Sequence, residues 1–315
     1  MKVLVTGASG AIGKQLVPKL VSAGHTVTGI TTSPEKREML RGLGAEPVVA
    51  DVLDAEEIGS VVAAASPEAI IHEATALAGD LDVRHFDRSF AVTNRLRSEG
   101  TDNLLAAGRA AGIRRFIAQS FGGWSSAPAN GRLATEADAT LAADRRELMG
   151  ASFAAISHLE AAVGGLDWAD GIVLRYGGFY GPGTGMQVDP PGPQIEAIAK
   201  RKFPIIGDGG GVWSFIHVAD AADATVEALD HGAPGIYNIV DDDPAPVREW
   251  LPKVAAGVGA KPPRRIPRWL GRLLGGELAA VMMTDVHGFS NAKAKRELGW
   301  TPGHPSWRTT LAGAR

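Results

Sequence analysis

Residues 2–13 read KVLVTGASGAIG. An apolar run, Lys2–Val5, leads into a turn with glycine at positions 7, 10 and 13, and a helix-like segment, GKQLVPKL, follows. In that order, backbone N–H groups and a helix N-terminus converge on one point. Glycine lets the turn close tightly and lets a pyrophosphate approach the backbone. An ordinary strand-to-helix turn is the alternative, and the strand before and the helix after favour the phosphate site.

Outward from this turn, strand-like runs alternate with helix-like ones: HTVTGI and PEKREMLRGLG, EPVVAD and EEIGSVVAAA, AIIHEA and a helical region ending at Ala111, then RRFIAQS and GIVLRYGGF. Buried runs separated by helices predict a parallel, doubly wound sheet covered on both faces, an α/β fold of the Rossmann type. Past Gly177 the texture turns to GGFYGPGTGMQVDPPGP, followed by a helix near Gln194–Arg201, a strand and helix in VWSFIHVADAADATVEALD, and the short strand GIYNIV. The expected division is a dinucleotide domain over 1–176, with 212–240 returning to it. A smaller, interleaved C-terminal substrate cap is expected from 177–211 and 241–315.

Composition narrows the function. The 315 residues carry a net charge of −3, which argues against a nucleic-acid surface, and the basic stretch Lys261–Arg268 is broken by prolines and reads as a solvated loop. There is no cysteine, so disulfides, thiolate metal sites and a cysteine nucleophile are excluded together. No apolar run reaches the roughly 18 residues of a membrane span, and the first residues run straight into a strand, so a soluble cytoplasmic protein is expected. His72, His85 and His217 show no metal-ligand spacing, and no metal is expected.

A carboxylate at the tip of the second strand would accept the ribose hydroxyls of NAD. That strand ends Gly29, Ile30, Thr31, Thr32, Ser33 without one, and Glu35 follows Pro34 where an acid suits a helix start. Lys36 and Arg37 lie close enough to meet a 2′-phosphate, so the pattern favours NADP over NAD.

With Asp51 and Val52 added, the chain resembles the extended short-chain dehydrogenase/reductase family, the NAD-dependent epimerases and dehydratases. The resemblance runs through TGxxGxxG at Thr6–Gly13, GTDNLLAAGRAAGIRRFIAQS at 100–120, LRYGGFYGPG at 174–183, FIHVADAADA at 215–224 and NAKAKRELGW at 291–300. It implies a dinucleotide held by Thr6, Gly7, Ser9, Gly10, Ala11, Ile12 and Gly13, by Thr31, Thr32 and Lys36, by Asp51 and Val52, by Ala74 and Thr75, and by Gly178. It also implies a homodimer paired through helices near 94–110 and 147–163.

The family moves protons with a Tyr-x-x-x-Lys pair on the helix after Ser120. With Glu160 taken as the family's glutamate, Ser152 stands at the Tyr position and Ile156 at the Lys position in ASFAAISHLE, residues 151–160. A shift by one residue gives Phe153 and Ser157. The three tyrosines, Tyr176, Tyr180 and Tyr237, all lie elsewhere. At about 100° per residue, His158 faces away from a cofactor that residues 152 and 156 face. The catalytic candidates are therefore Ser120, at the end of its strand, and Tyr180, whose family position lies near the substrate mouth.

Arg97 replaces the family's asparagine, with Asn94 one turn earlier, so one of the pair is expected to line the pocket. Arg175 matches a structural arginine of the family. The expected substrate wall is Asn94, Phe121, Trp124, Phe179 and Trp213, which suits an apolar or aromatic small molecule. The segment 269–283, WLGRLLGGELAAVMM, reads as a lid helix or as cap core. Two functions remain open: an NADP-dependent oxidoreductase or epimerase with a substituted proton donor, or a dinucleotide-binding sensor of the same fold.

Overall fold

A computed structural model describes residues 1–77, 86–122, 133–138 and 143–313. The first half of the chain runs β1 (Lys2–Thr6), α1 (Ala11–Ser22), β2 (Thr26–Thr31), α2 (Arg37–Gly42), β3 (Glu46–Val49), α3 (Ala55–Ala65), β4 (Ala69–His72) and α4 (Phe86–Arg95). A π-helical turn at Leu96–Gly100 continues α4 into α5 (Thr101–Ala111), and β5 (Arg115–Phe121), α6 (Ala143–Gly164) and β6 (Asp170–Tyr176) follow. Then come β7 (Gly178–Tyr180), α7 (Pro193–Ala199), β8 (Ile205–Ile206), β9 (Val212–Trp213), β10 (Phe215–His217), α8 (Val218–His231) and β11 (Gly235–Ile239). The chain closes with β12 (Ala245–Pro246), α9 (Val247–Gly257), β13 (Arg265–Ile266), α10 (Arg268–Thr284) and α11 (Ala292–Glu297).

Seven parallel strands form one sheet in the order β11-β6-β5-β4-β1-β2-β3. The chain winds outward from β1 through β2 to β3, then crosses back to β4 and winds the other way. This leaves a switch point between β1 and β4, where open sheets of this kind hold their ligands. Strands such as β1 and β6 are buried along nearly their whole length, with apolar runs Val3–Val5 and Ile172–Leu174 at their centres, because helices cover both faces. Leu16, Val17 and Leu20 of α1 pack with Ala221, Ala224 and Ala228 of α8 on one face. Ile58 and Val62 of α3, Leu104 of α5 and Leu159 and Val163 of α6 fill the other.

A further core gathers Tyr180, Phe215, Trp250 and Trp307 with Ile205 and Ile206. The stretch 212–217, expected as one strand, is divided at Ser214. Trp213 pairs antiparallel with Ala245, whereas Phe215–His217 pairs with β7, so only α8 and β11 return to the large sheet. Ser214 explains the break: its carbonyl accepts from the Gly178 N–H and its hydroxyl from the Phe289 N–H, which turns the chain between two partners. No helix among the described residues is long and apolar enough to cross a membrane.

Candidate active site

The carboxyl ends of the strands open into a cleft of about 1140 Å³ that begins at the glycine turn and ends between α10 and the tip of β5. At its first end Gly7 adopts φ +69, and a Cβ there would lie 2.5 Å from the Glu73 carbonyl oxygen. A Cβ on Gly13 would meet the Ala8 carbonyl at 2.4 Å, so α1 can press on the turn only through glycine. Gly10 occupies the N-cap position of α1 in extended backbone with no side chain capping the helix. The N–H groups of the first turn are thereby left for a ligand's oxygens.

Of the residues expected to hold the dinucleotide, Gly7, Ser9, Gly10, Ala11, Ile12, Gly13, Thr31, Thr32, Lys36, Asp51, Val52, Ala74, Thr75 and Gly178 all line this cleft. Thr6 does not. It is fully buried, with its hydroxyl 2.8 Å from Nδ1 of His72, because the last residue of β1 points into the sheet's neighbour rather than out of its tip. Ser9 and Thr31 meet at 3.2 Å between their hydroxyl oxygens. Lys36 and Arg37 are exposed and form no ion pair among the described residues, whereas Arg41 is taken by Glu38.

At the inner end Ser152 and Ile156 both face the cleft from α6. His158 turns outward to Asp102, 2.8 Å away. Neither residue expected to move a proton reaches the cleft. On β5, Gln119 and Phe121 line it while Ser120 between them points the opposite way and donates to Glu160 Oε1 at 2.7 Å. That is the alternation of a strand. The same alternation on β7 turns Phe179 to the cleft and buries Tyr180, whose ring lies edge-on to His217 and whose hydroxyl donates to the His304 carbonyl at 3.3 Å. The expected proton donor is therefore moved off Ser120 and Tyr180.

The substrate wall holds Phe121, Phe179 and Trp213, joined by Phe203, Leu278 and Met282. Trp124 and His85 lie outside the described residues. Asn94 is withdrawn from the cleft because its Nδ2 donates to Ser152 Oγ at 3.0 Å, and Arg97 lines it instead. The π-helical turn supplies the reason, since its wider winding breaks the one-turn correspondence between positions 94 and 97. The helix read as lid or core is α10, broken at Gly276 with φ 84. It contributes Gly271, Leu274 and Met283 to the cleft wall.

Away from the cleft, His217 stacks on His304 at 3.7 Å beside Asp220, a juxtaposition that residue spacing gave no means of finding. Nδ1 of His217 caps α8 through the Ala219 N–H, and Nδ1 of His304 is held by Asp220.

Glu73, just past β4, went unnoticed in the sequence. It lines the cleft, is 5 % exposed, accepts from the Tyr176 hydroxyl at 2.9 Å, and leaves Oε2 without a partner among the described residues. Burial pushes its carboxyl up to about 8, with the Tyr176 hydrogen bond pulling the other way. Folded chain thus keeps this proton up to about pH 8, whereas unfolded chain releases it near the ordinary value of 4.5. The stability contributed is complete below that ordinary value and is lost as pH rises through 8, by roughly 1 kcal/mol per pH unit between. Urea denaturation at several pH values should therefore give Glu73→Gln a flatter profile than wild type and greater stability at the alkaline end. Parallel profiles would refute the buried proton.

The model of the NAD dependent epimerase/dehydratase family matches residues 3–240. The chain belongs to this family. It is 42 % identical over 313 residues, 99 % of each chain, to a "3-diazoavenalumate denitrifying reductase" of Streptomyces sp.. It is 28 % identical to a "2-alkyl-3-oxoalkanoate reductase" of Stenotrophomonas maltophilia, covering 96 % of this chain and 95 % of that one. A Thermus thermophilus UDP-glucose 4-epimerase in complex with NAD superposes with a TM-score of 0.73 at 25 % identity, covering 100 % of this chain and 98 % of that one.

A nicotinamide dinucleotide, NAD or NADP, is the cofactor of the epimerase/dehydratase family, and the residues present fit it. The glycine turn admits no Cβ at positions 7 and 13, the first turn of α1 is uncapped, and Lys14 and Lys36 add positive charge to the cleft. Lys14 was missed in the sequence because a lysine beginning a helix after a glycine turn carries no signal of its own.

Proposed function

We propose that the chain is an NADP-dependent reductase of an aromatic small molecule whose reacting carbon takes a hydride without a proton from the protein. The observation that carries this is the pair of residues turned to the cleft from α6. Ser152 and Ile156 stand there in place of a phenol and an ammonium, and none of the three tyrosines lines the cleft. Ser152 Oγ accepts from Asn94, and a serine hydroxyl alone is a poor acid. The bound dinucleotide supplies the hydride. On an arene diazonium a hydride forms the new C–H bond, the C–N bond breaks with its electron pair leaving as N₂, and no proton is consumed. The Streptomyces relative, named for reductive loss of nitrogen from a diazo acid, supports this substrate class. Phe121, Phe179, Phe203 and Trp213 give an aromatic ring flat apolar walls.

In this reading residues 1–176 and 212–240 form the dinucleotide domain, residues 177–211 and 241–315 form the substrate cap, Trp213 reaches from the first into the substrate wall, and two copies pair through the helices near 94–110 and 147–163. The missing acid after Ile30, and Lys36 and Arg37 without ion pairs among the described residues, support NADP. Replacing both cations by glutamate should weaken NADP by more than tenfold and NAD far less, read by calorimetry. An equal loss for both would remove them from the 2′-phosphate.

The function is tested by following NADPH oxidation and N₂ release with hydroxyaryl diazonium acids and, in parallel, with aromatic ketones. Turnover of the diazonium series is expected, and Ser152→Ala should stay within about tenfold of wild type, because losing a true general acid costs 10²- to 10⁴-fold. Ketone turnover that collapses in Glu73→Gln would favour a carbonyl reductase, a second reading supported by the protonated carboxyl in the cleft and by the oxoalkanoate relative. Tight NADP binding with no turnover in either series would leave a sensor.

A further inference from the structure

Arg97 is 5 % exposed, its Nε is enclosed without a partner, and its guanidinium makes no hydrogen bond or ion pair among the described residues. An arginine buried in this way is strongly unfavourable unless an anion completes it. Among the described residues Glu160 is the acid whose charge reaches it, and that carboxylate is already committed to Arg175 and Ser120. Burial lowers the guanidinium to about 10, which still leaves it charged at neutral pH. A cation without a partner among the described residues therefore stands at the wall of the cleft.

Its position argues against the cofactor's phosphates as the missing anion. Those would be received at the uncapped N-terminus of α1, in the part of the cleft that Lys14 also lines. The α1 helix covers one face of the sheet, whereas Arg97 enters from the helical layer of the other face. It shares that layer with Ser152 and Ile156, and it lines the same cleft as they and Phe121 do. The π-helical turn brings it there, and such turns gather at functional sites.

We propose that Arg97 is the specificity residue for a carboxylate on the aromatic substrate, which it takes through the paired N–H groups of its guanidinium. The planar fork matches a carboxylate with two parallel hydrogen bonds, and in a buried site that pairing strengthens. The inference rests on the cleft being the substrate site of a reductase. It is tested by binding alone, so its failure can be told from a failure of the hydride chemistry.

The probes are 4-hydroxycinnamate and its methyl ester, titrated calorimetrically into NADP-saturated protein. Wild type should bind the acid at least about tenfold more tightly than the ester, as expected for hydrogen bonds to a charged group. Arg97→Met should abolish that preference by weakening the acid alone, with NADP affinity unchanged and the melting temperature equal to or above wild type, because a partnerless charge has been removed. Arg97→Lys should retain part of the preference. The proposal is overturned if the acid does not bind wild type, if acid and ester bind it equally, or if Arg97→Met weakens NADP as much as the acid. A fall of several degrees in melting temperature with the acid preference intact would equally overturn it, since Arg97 would then be structural.

Discussion

Replacing Gly10 by aspartate is expected to cost more than a hundredfold in dinucleotide affinity while leaving the melting temperature within a few degrees of wild type. Gly10 has φ −77 and ψ −177, which any residue adopts, and a Cβ there would come no closer than 3.2 Å to the Gly7 carbonyl. The added side chain asks the Gly7 carbonyl to give by only a few tenths of an ångström. The new carboxylate, however, stands at the uncapped start of α1, where the cofactor's phosphates are to be received. Like charges brought together out of water cost several kcal/mol, and a hundredfold loss is about 2.7 kcal/mol. Gly7 and Gly13 are poorer tests, since their added Cβ atoms would collide with backbone at 2.5 and 2.4 Å and lost binding could not be told from lost structure. Calorimetric titration of NADP with a parallel thermal melt checks the prediction, and undiminished affinity in Gly10→Asp would remove the phosphates from this turn.

Glu160→Gln is expected to destabilise the fold by about 3–5 kcal/mol, the penalty for leaving one partner of a buried ion pair alone. Arg175 grips Glu160 through two hydrogen bonds, Nε to Oε1 at 2.8 Å and Nη2 to Oε2 at 2.6 Å, and Ser120 adds a third at 2.7 Å. The two side chains are only 6 % and 11 % exposed. A neutral amide turns its N–H₂ toward one of these donors and leaves Arg175 uncompensated, with Arg97 close by and equally deprived. In a chain of this length the loss should lower the melting temperature on the order of 10 °C. Ser120→Ala leaves the ion pair whole and should cost only about 1 kcal/mol. A melting temperature for Glu160→Gln within about 2 °C of wild type would show that the pair carries no stability. This cluster also corrects the expectation for Ser120, whose hydroxyl serves the packing of α6 on β5.

The sequence by itself determined the sheet, its parallel winding and the phosphate turn, because each is written over a few neighbouring residues. Strand apolarity, helix periodicity and the glycines at 7, 10 and 13 act through local backbone geometry, which short spacing encodes. The cofactor wall was legible for the same reason, as it is made from the tips of successive strands. Family resemblance also identified positions 152 and 156, and both face the cleft.

Tertiary structure decided which way the inner side chains point and what they meet. Ser120 and Tyr180 lie at the right strand ends, yet each faces away from the cleft because alternation on β5 and β7 gives that direction to Phe121 and Phe179. Asn94 and Arg97 differ because a π-helical turn changes the winding between them, a local distortion without a sequence signal. Glu73 carries no sequence signal of its own, and spacing does not tell Arg97 from Asn94 as the residue that lines the pocket. The setting of Glu73 and Arg97 comes from elements far along the chain: Tyr176, itself held by Thr225, meets the first, and Glu160 on α6 is drawn off from the second to Arg175. A charge is set apart by the absence of a partner, and that absence exists only once every candidate partner has been packed elsewhere.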